Sequence, residues 1–183
     1  DLLLWFMGPA AQVSGYWSNV NHPSIEVDDT AVASIRFASG AVGSVTVSNA
    51  QKPGLYAKVH VHGDNGSSVG AQTDGGSTFV SGITADVEPA VNDVWTVLGD
   101  EGRLPGWQAE DRLAMARVDP LTHFHSLQIS DFLQAVRDGR EPAVTAVDGF
   151  RVAALVAAIE RSQAEGSLVA IDRLTGEAGI AIG

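Results

Sequence analysis

The sequence predicts an α+β domain in which an open, mainly antiparallel sheet packs helices on one of its faces. Two observations predict this class. Between residues 31 and 72, apolar residues alternate with polar ones, and breaks containing Gly separate the runs. Beyond residue 123 the apolar spacing changes to three and four residues, which is the pattern of an amphipathic helix. We therefore expect hairpin strands followed by a pair of helices.

The first nine residues, DLLLWFMGP, predict the rear part of a helix. Large apolar residues fill fewer than two turns, and Gly8 and Pro9 then supply the stop that commonly follows the last turn of a helix. No basic leader of the kind found in signal peptides precedes them. We expect residues 1–9 to be the tail of a helix that continues from a missing N-terminal part.

Alternation predicts the strands that follow. TAVASIRF and AVGSVTVS form a predicted hairpin across the short break Ala38–Gly40, because a Gly-containing turn suits two period-two runs. LYAKVHVH is the next predicted strand, after the turn formed by Pro53 and Gly54. The turn GDNG leads from it to an antiparallel partner over residues 67–72.

The second half of the chain predicts helices. Residues 73–120 carry scattered Gly, Pro and acidic residues, for which we expect one or two short strands and surface loops. Helical spacing over residues 124–136 predicts a helix that Gly139 ends, and a second helix is expected to begin at Asp148 as its cap and to end at Gly166. SLVAID predicts a last strand, and LTGEAGIAIG a loosely held tail.

Composition excludes several classes of protein. The 183 residues carry a net charge of −11, which would repel a phosphate backbone, so we expect no nucleic-acid partner. No apolar run approaches the ~18 residues of a membrane span, and we expect no membrane partner. The absence of Cys excludes a disulfide framework and thiolate metal sites. The length favours a single domain over residues 1–183, and the missing leader favours the cytoplasm.

No established catalytic motif occurs, since the sequence lacks a G-x-G-x-x-G turn, a P-loop, H-E-x-x-H and G-x-S-x-G. The acidic run EVDD could bind a hard cation through its clustered carboxylates, although a charged entry to a strand is favoured. His60 and His62 share one face of a strand. They could bind a metal ion or a polyol hydroxyl, although a solvated or interfacial sheet face is favoured. The four Trp residues are spread along the chain and predict no stacking platform.

The remaining polar candidates are open to two interpretations each. His22 lies in a predicted loop, where it either binds a ligand or forms part of a plain turn. His123 and His125 stand at the start of a helix, and because they are two residues apart their side chains point in different directions. They either contact a substrate or pack at the helix entry. Lys52 and Tyr56 flank a turn, and their ammonium and phenol groups either bind sugar hydroxyls or lie on a plain surface turn.

Taken in order, DLLLWFMGP, VNHPSIEVDDTAVASIRFASGAVGSVTVS, HGDNG and HSLQISDFLQAVRDGREPAVTAVDGFRVAALVAAIERSQAEGSLVAI resemble the C-terminal domain of the glucose-fructose oxidoreductase and inositol dehydrogenase (Gfo/Idh/MocA) family. The resemblance covers nearly the whole chain and is weakest over residues 73–120. It implies a dihydrodipicolinate-reductase-like fold that follows a Rossmann domain for NAD or NADP. It also implies hydride transfer between the nicotinamide and a hydroxyl carbon of a sugar, cyclitol or related polyol.

The resemblance further implies where the functional residues lie. The family's catalytic His falls shortly before Asp1, and its Gly-rich nucleotide turn and E-K-P motif fall farther upstream. We therefore expect no catalytic, cofactor-binding or metal-binding residue in this chain, no bound NAD or NADP, and no activity of the chain alone. Tyr56 falls where some members place a substrate-contacting aromatic residue, and His125 matches a recurrent helix-entry histidine. With Lys52 and His22 they form the expected set of substrate-binding residues.

Two functions remain open at this point. The chain is either the substrate-binding and oligomerisation domain of a family dehydrogenase, or a non-catalytic binding or assembly module. In both cases we expect a homo-oligomer through the outer sheet face. That face, predicted to carry Tyr56, Val45 and Val47, would be too apolar to remain bare in a monomer.

Overall fold

The computed structural model of the protein describes residues 1–51, 57–73 and 90–177. The chain divides into two compact units. Unit 1 comprises Asp1–Gln51 and Val144–Gly183, and unit 2 comprises Lys52–Ala143. The single domain over residues 1–183 stays a prediction. Among the helices of the described residues, none has both the length and the apolar character needed to cross a bilayer.

The elements of the described residues, in chain order, are α1 (Leu2–Met7), β1 (Ala10–Ser18), β2 (Thr30–Phe37), β3 (Val42–Ser48), β4 (Lys58–His62), β5 (Ser68–Thr73), β6 (Ala90–Trp95), a 3-10 turn (Glu101–Arg103), α2 (Leu104–Met115), α3 (Pro120–Asp138), α4 (Ala146–Glu165), β7 (Val169–Ala170) and α5 (Ile171–Glu177). The predicted α+β class with antiparallel sheets is confirmed. The helix predicted over the first residues is α1, which ends at Gly8.

Unit 1 is built on a four-stranded antiparallel sheet in the order β3-β2-β1-β7. The alternation in TAVASIRF decides which side of β2 is buried, because successive side chains point to opposite faces of a sheet. Ala33, Ile35 and Phe37 are buried, whereas the residues between them are exposed. Burying a side chain as large as Ile35 or Phe37 contributes about 1.5–3 kcal/mol. The predicted hairpin of β2 and β3 is confirmed, with Gly40 at positive φ in its turn.

Helix α4 covers the buried face of this sheet with the small and apolar side chains Ala154, Leu155 and Ala158. The packing against β1 is close. A Cβ added at Gly15 would lie 2.9 Å from Ile159 Cγ2 and 2.9 Å from the carbonyl oxygen of Val32. A glycine at this position in β1 therefore lets the helix approach the strand.

The ends of α4 are fixed by two different devices. The expectation that Asp148 is the cap is wrong by three positions, because the N-cap is Thr145. The Thr145 hydroxyl accepts from the Asp148 backbone N–H, and the Asp148 carboxylate accepts from the Thr145 backbone N–H. This is a reciprocal capping box. Gly166 ends the helix in the left-handed conformation, as predicted.

The expected composition of the outer sheet face is wrong for Val45 and Val47. Val45 pairs with Ala33 and Val47 with Ala31, so both point to the face that α4 covers. Val45 packs against the core of unit 1. The prediction did not include the register of β3 on β2, which decides the face on which each valine lies. The face opposite α4 instead carries the hydroxyl side chains of Ser14, Tyr16, Ser34, Ser44 and Thr46, together with Gln12, Arg36, Val32 and Val42.

The last strand of unit 1 is shorter than predicted. Only Val169 and Ala170 pair with β1, and Ile171 already begins α5. The expectation of a loose tail is wrong for residues 174–177, since they belong to this helix and Thr175 is buried in it. The remainder of the predicted tail, 178–183, lies outside the described residues.

Unit 2 contains a three-stranded antiparallel sheet in the order β4-β5-β6. The predicted turn GDNG connects β4 to β5, and Gly66 adopts the positive φ of that turn. The first residues predicted for this strand, Leu55 and Tyr56, lie outside the described residues, and so does the turn at Pro53 and Gly54. A bulge between Gly70 and Ala71 shifts the register of β5 against β6.

Two helices of unit 2 follow β6. α2 was expected to be strands and loops, and this expectation is wrong. Two residues of α2 bind Asn92 of β6. Asp111 Oδ2 accepts from the backbone N–H (2.8 Å) and the side-chain amide (2.9 Å) of Asn92. Gln108 Nε2 donates to the Asn92 carbonyl. The predicted helix over 124–136 is confirmed as part of α3, which Gly139 ends at positive φ.

Candidate functional site

In unit 1, the loop between β1 and β2 is organised from within by Asn19. Its Nδ2 lies within hydrogen-bonding distance of three carbonyl oxygens, those of His22 (2.8 Å), Ile25 (2.9 Å) and Val27 (3.0 Å). Its Oδ1 accepts from the backbone N–H of His22. One amide side chain thereby contacts four backbone groups of the loop, with its two Nδ2 protons shared among the three carbonyl oxygens.

Asp29 closes the same loop at its C-terminal end. Its buried carboxylate accepts hydrogen bonds from the backbone N–H groups of Val20 (2.9 Å) and Asn21 (2.8 Å) and from the Thr30 hydroxyl (3.1 Å). Nδ1 of His22 lies 2.9 Å from Asp29 Oδ2. Burial raises the pKa of the Asp29 carboxyl, but these hydrogen bonds outweigh it and hold the pKa far below its usual value.

The contacts with Asp29 and Asn19 hold the His22 imidazole in one position. Its ring is tied to Asp29 through Nδ1, and its backbone N–H and carbonyl are both tied to Asn19. The side chain is 36% exposed, so one part of the ring is open to solvent while the loop holds it in place. A fixed, half-exposed imidazole can donate to or accept from a ligand hydroxyl, but the binding role of His22 stays a prediction.

A cleft of about 480 Å³ lies beside this loop, between residues 26–28 and the C-terminal half of α4. Trp17, Val27 and two alanines of α4 supply apolar surface, and the charged residues around it are Glu26, Asp28, Glu160 and Arg161. Arg161 pairs with Glu165 at 2.7 Å. The indole nitrogen Nε1 of Trp17 is buried and has no hydrogen-bond partner among the described residues. Carboxylates around an apolar surface suit a ligand that carries hydroxyl groups.

In unit 2, His60 reaches across β5 to β6. Its Nε2 lies 2.8 Å from Asp93 Oδ2, and both side chains are mostly buried, with 27% and 14% of their surface exposed. His62 makes a separate contact, with Nδ1 2.7 Å from Ser68 Oγ. The two imidazole rings are perpendicular, with centroids 6.4 Å apart. The predicted common face of His60 and His62 is therefore confirmed. The partner of His62 lies on the neighbouring strand β5, and the partner of His60 lies one strand farther, on β6.

Unit 2 also brings together two aromatic residues that are distant in the sequence. The rings of Trp95 in β6 and Trp107 in α2 lie 6.0 Å apart at an angle of 59°, and the Arg103 guanidinium lies 5.7 Å from the centre of the Trp107 ring. Arg103 is held by Asp100 at 2.8 Å. The sequence spacing predicted no aromatic pair, because the contact depends on how α2 packs on β6.

The other predicted substrate-binding residues are placed as follows. His125 lies in the first half of α3 and is exposed. Lys52 and Tyr56 lie outside the described residues, so their predicted roles stay predictions. Within the described ranges, 1–51, 57–73 and 90–177, no group of three or more His, Asp or Glu side chains is arranged to hold a metal ion.

Comparison with known proteins identifies this architecture. Residues 1–171 match the model of the oxidoreductase family, C-terminal alpha/beta domain. No curated protein sequence matches the chain. Among solved structures, the WlbA dehydrogenase from Bordetella pertussis, in complex with NADH and UDP-GlcNAcA, superposes with a TM-score of 0.69 at 24% identity, over 93% of this chain and 44% of that one.

Two further structures are similar. A probable dehydrogenase from Thermotoga maritima gives a TM-score of 0.60 at 22% identity, covering 94% of this chain and 46% of that one. Levoglucosan dehydrogenase, in complex with NADH and L-sorbose, gives a TM-score of 0.55 at 23% identity, covering 93% of this chain and 47% of that one. At these identities the likeness concerns the fold. The chain spans less than half the length of each of these proteins.

Proposed function

The chain belongs to the oxidoreductase family whose C-terminal alpha/beta domain matches residues 1–171, and we propose that it is the C-terminal domain of an NAD(P)-dependent oxidoreductase acting on a sugar, cyclitol or related polyol. The observation that carries the proposal is this match over nearly the whole chain. The coverage of less than half of each similar dehydrogenase supports it, because a Rossmann domain would account for much of the remaining length.

The residues of this chain do not fit a nicotinamide dinucleotide by themselves. Such a cofactor binds where a strand leads through a Gly-rich turn into a helix, whose N-terminus receives the pyrophosphate. The sequence has no G-x-G-x-x-G turn, and its net charge of −11 opposes a diphosphate. In our proposal NAD or NADP is held by a preceding domain, together with the catalytic base, and the chain alone is inactive.

The chain then contributes one wall of the substrate pocket. Hydride transfer requires the carbinol carbon to be held against the nicotinamide, so groups that position the other hydroxyls matter for rate. We assign this role to Lys52, Tyr56, His22 and His125. The Lys52 ammonium can only donate to hydroxyl oxygens, whereas the phenol and imidazole groups can both donate and accept. Two of the similar structures were solved with UDP-GlcNAcA and with L-sorbose, which supports a sugar-type substrate.

We also propose that the protein forms a homo-oligomer through the outer face of the unit 1 sheet. Tyr16 at 72% exposure, Val32 at 43% and Val42 at 71% place apolar surface among the hydroxyl side chains of this face. A broad face with hydroxyls and a few apolar anchors can pair with its own copy around a two-fold axis.

The experiment compares the 183-residue chain with the polypeptide encoded when the coding region upstream of Asp1 is included. We expect reduction of NAD⁺ or NADP⁺ with sugars, inositols or UDP-sugars only for the longer protein. In that protein, Tyr56→Phe, Lys52→Ala, His22→Ala and His125→Ala should each raise KM. His123→Ala is the matched control for His125, because the two lie on different sides of α3.

Either of two results would overturn the proposal. Turnover by the 183-residue chain alone would show that the redox groups lie within it. A longer protein that binds no NAD(H) or NADP(H) but still self-associates would favour the alternative, a non-catalytic binding or assembly module.

A further inference from the structure

His60 and His62 lie next to each other on one face of β4, since residues two apart on a strand point to the same side. In each ring one nitrogen already has a partner. Nε2 of His60 meets Asp93, and Nδ1 of His62 meets the Ser68 hydroxyl. Within the described part of the chain, the second nitrogen of each ring has no hydrogen-bond partner.

The backbone of β5 makes this arrangement of His60 possible. Gly70 is the cross-strand partner of His60, and a Cβ added at Gly70 would lie 2.4 Å from His60 Cδ2. The ring therefore lies over the glycine and extends to Asp93 on the next strand. A larger residue at position 70 would force the imidazole away from this carboxylate.

The contact with Asp93 also selects the tautomer of His60. A carboxylate only accepts hydrogen bonds, so Nε2 carries the proton and donates it, and the lone pair is left on Nδ1. Asp93 Oδ1 is buried and has no hydrogen-bond partner among the described residues, so the charge of this carboxylate is little compensated locally. A carboxylate behind an imidazole is the arrangement that orients metal-ligating histidines and raises their basicity.

We propose that His60 Nδ1 and His62 Nε2 bind a divalent first-row transition-metal ion, with Cu²⁺ tightest and Zn²⁺ weaker, as a two-histidine site on the face of β4. Imidazole nitrogens suit these ions, and Cu²⁺ stands highest in the order of affinities. Water ligands complete the coordination. The remaining partners have supporting roles, in which Asp93 positions His60 and the Ser68 hydroxyl accepts the Nδ1 proton of His62.

The spacing of the rings is compatible with one shared ion. A metal–nitrogen bond of about 2.0–2.1 Å places the ion about 3.2 Å from the centre of each imidazole. Two rings on opposite sides of one ion would then have centroids about 6.4 Å apart at most, and tetrahedral ligation would need them about an ångström closer. The observed separation is 6.4 Å. His62 is exposed, and its Nδ1 lies 2.7 Å from Ser68 Oγ, so the approach to the ion requires a small rotation of the ring about this contact.

The test uses the 183-residue chain with no affinity tag and titrates it with Cu²⁺. We expect one ion per chain by calorimetry, and nitrogen hyperfine coupling in the electron paramagnetic resonance spectrum. His62→Ala should weaken binding at least about tenfold, because it removes one of two ligands. Asp93→Asn should weaken it about 10–100-fold by releasing the orientation of His60. His123→Ala controls for exposed histidines in general and should leave the affinity unchanged.

A second readout locates the ion directly. Paramagnetic Cu²⁺ should broaden the ring proton signals of His60 and His62 before those of His22, His123 and His125. Because His62 is exposed, His62→Ala should keep the circular dichroism spectrum and melting temperature of the parent chain, so loss of binding reports the ligand and not the fold. Unchanged affinity in His62→Ala, or first broadening at another histidine, overturns the proposal. Neither result bears on the proposed oxidoreductase function.

Discussion

The imidazole of His60 lies over the α-carbon of Gly70, so closely that a methyl group there would come within 2.4 Å of His60 Cδ2. Gly70→Ala should therefore push the ring away from Asp93 and leave a mostly buried carboxylate without its partner. We expect a loss of about 1–3 kcal/mol in the free energy of unfolding, the usual cost of overpacking. Urea denaturation measures it.

The control for this substitution is Gly106→Ala in α2, where an added Cβ meets nothing within 4 Å. Alanine is favoured over glycine in a helix by about 0.5–1 kcal/mol, so this variant should be as stable as the parent chain or more stable. If both variants behave alike, the contact between position 70 and His60 does not constrain the sheet.

The loop between β1 and β2 should open at acidic pH. The pKa of the Asp29 carboxyl is held far below its usual value in the folded state, and in the unfolded chain it returns to about 3.9. The unfolded state therefore takes up the proton first as the pH falls. The stabilisation is complete well above pH 4 and is lost progressively below it. Melting temperatures measured from neutral pH down to about pH 3 should fall accordingly.

Asp29→Asn removes this dependence and should lower the melting temperature at neutral pH, because an amide cannot accept from all of the groups that the carboxylate serves. The neighbouring Asp28→Asn is the matched control and should have little effect. Equal acid sensitivity of the parent chain and Asp29→Asn would show that other carboxyls, such as Asp131, Asp148 and Glu165, whose pKa values are also lowered, dominate the response.

Substitutions at the two residues of the α4 capping box should have non-additive effects on stability. Thr145→Ala is expected to cost about 1 kcal/mol, the typical value for a lost N-cap. Asp148→Ala should also destabilise the chain, and the double variant should lose less than the sum, because the Thr145 hydroxyl also donates to the Asp148 carboxylate at 2.7 Å and either single variant already removes this shared hydrogen bond. Thermal denaturation of the three variants gives the coupling. Additive losses would mean that the two contacts act independently.

The proposed oligomer predicts a specific effect at Val32, which lies on the outer face of the unit 1 sheet. Val32→Arg should convert the oligomer into monomer in light scattering at micromolar concentration, since it would bring like charges together across a two-fold axis. Val156→Arg, on the half-exposed side of α4, is the control. A parent chain that is already monomeric at high concentration would contradict the proposal, and so would an oligomer that Val32→Arg leaves intact.

Local sequence signals predicted the strands and helices in which the spacing of apolar residues is repeated several times. The alternation in β2 and the turn at Gly40 required only backbone geometry. The capping residue of α4 was assigned to Asp148, although the spacing of Thr145 and Asp148 is itself the signature of a capping box. α2 was missed because its core-facing residues become apparent only when β6 is in place, through Asn92 and Trp95.

The candidate site was less predictable, because its contacts also depend on how separate elements pack together. The sequence indicated that His22 lies in a loop and that His60 and His62 share a face, and both placements are found. It could not indicate that Asp29 anchors His22 or that Asp93 orients His60. These contacts join residues 7 and 33 positions apart, and they depend on loop closure and strand register.

The division of the chain has a consequence for its synthesis. Strand β1 of unit 1 is made before its partner β7 and the helix that covers it, which come from beyond Val144. The ribosome must therefore complete α4 before this sheet can bury its apolar side, whereas the segment Lys52–Ala143 is complete sooner. Residues 1–51 should be the stretch of this chain that depends most on chaperones during synthesis.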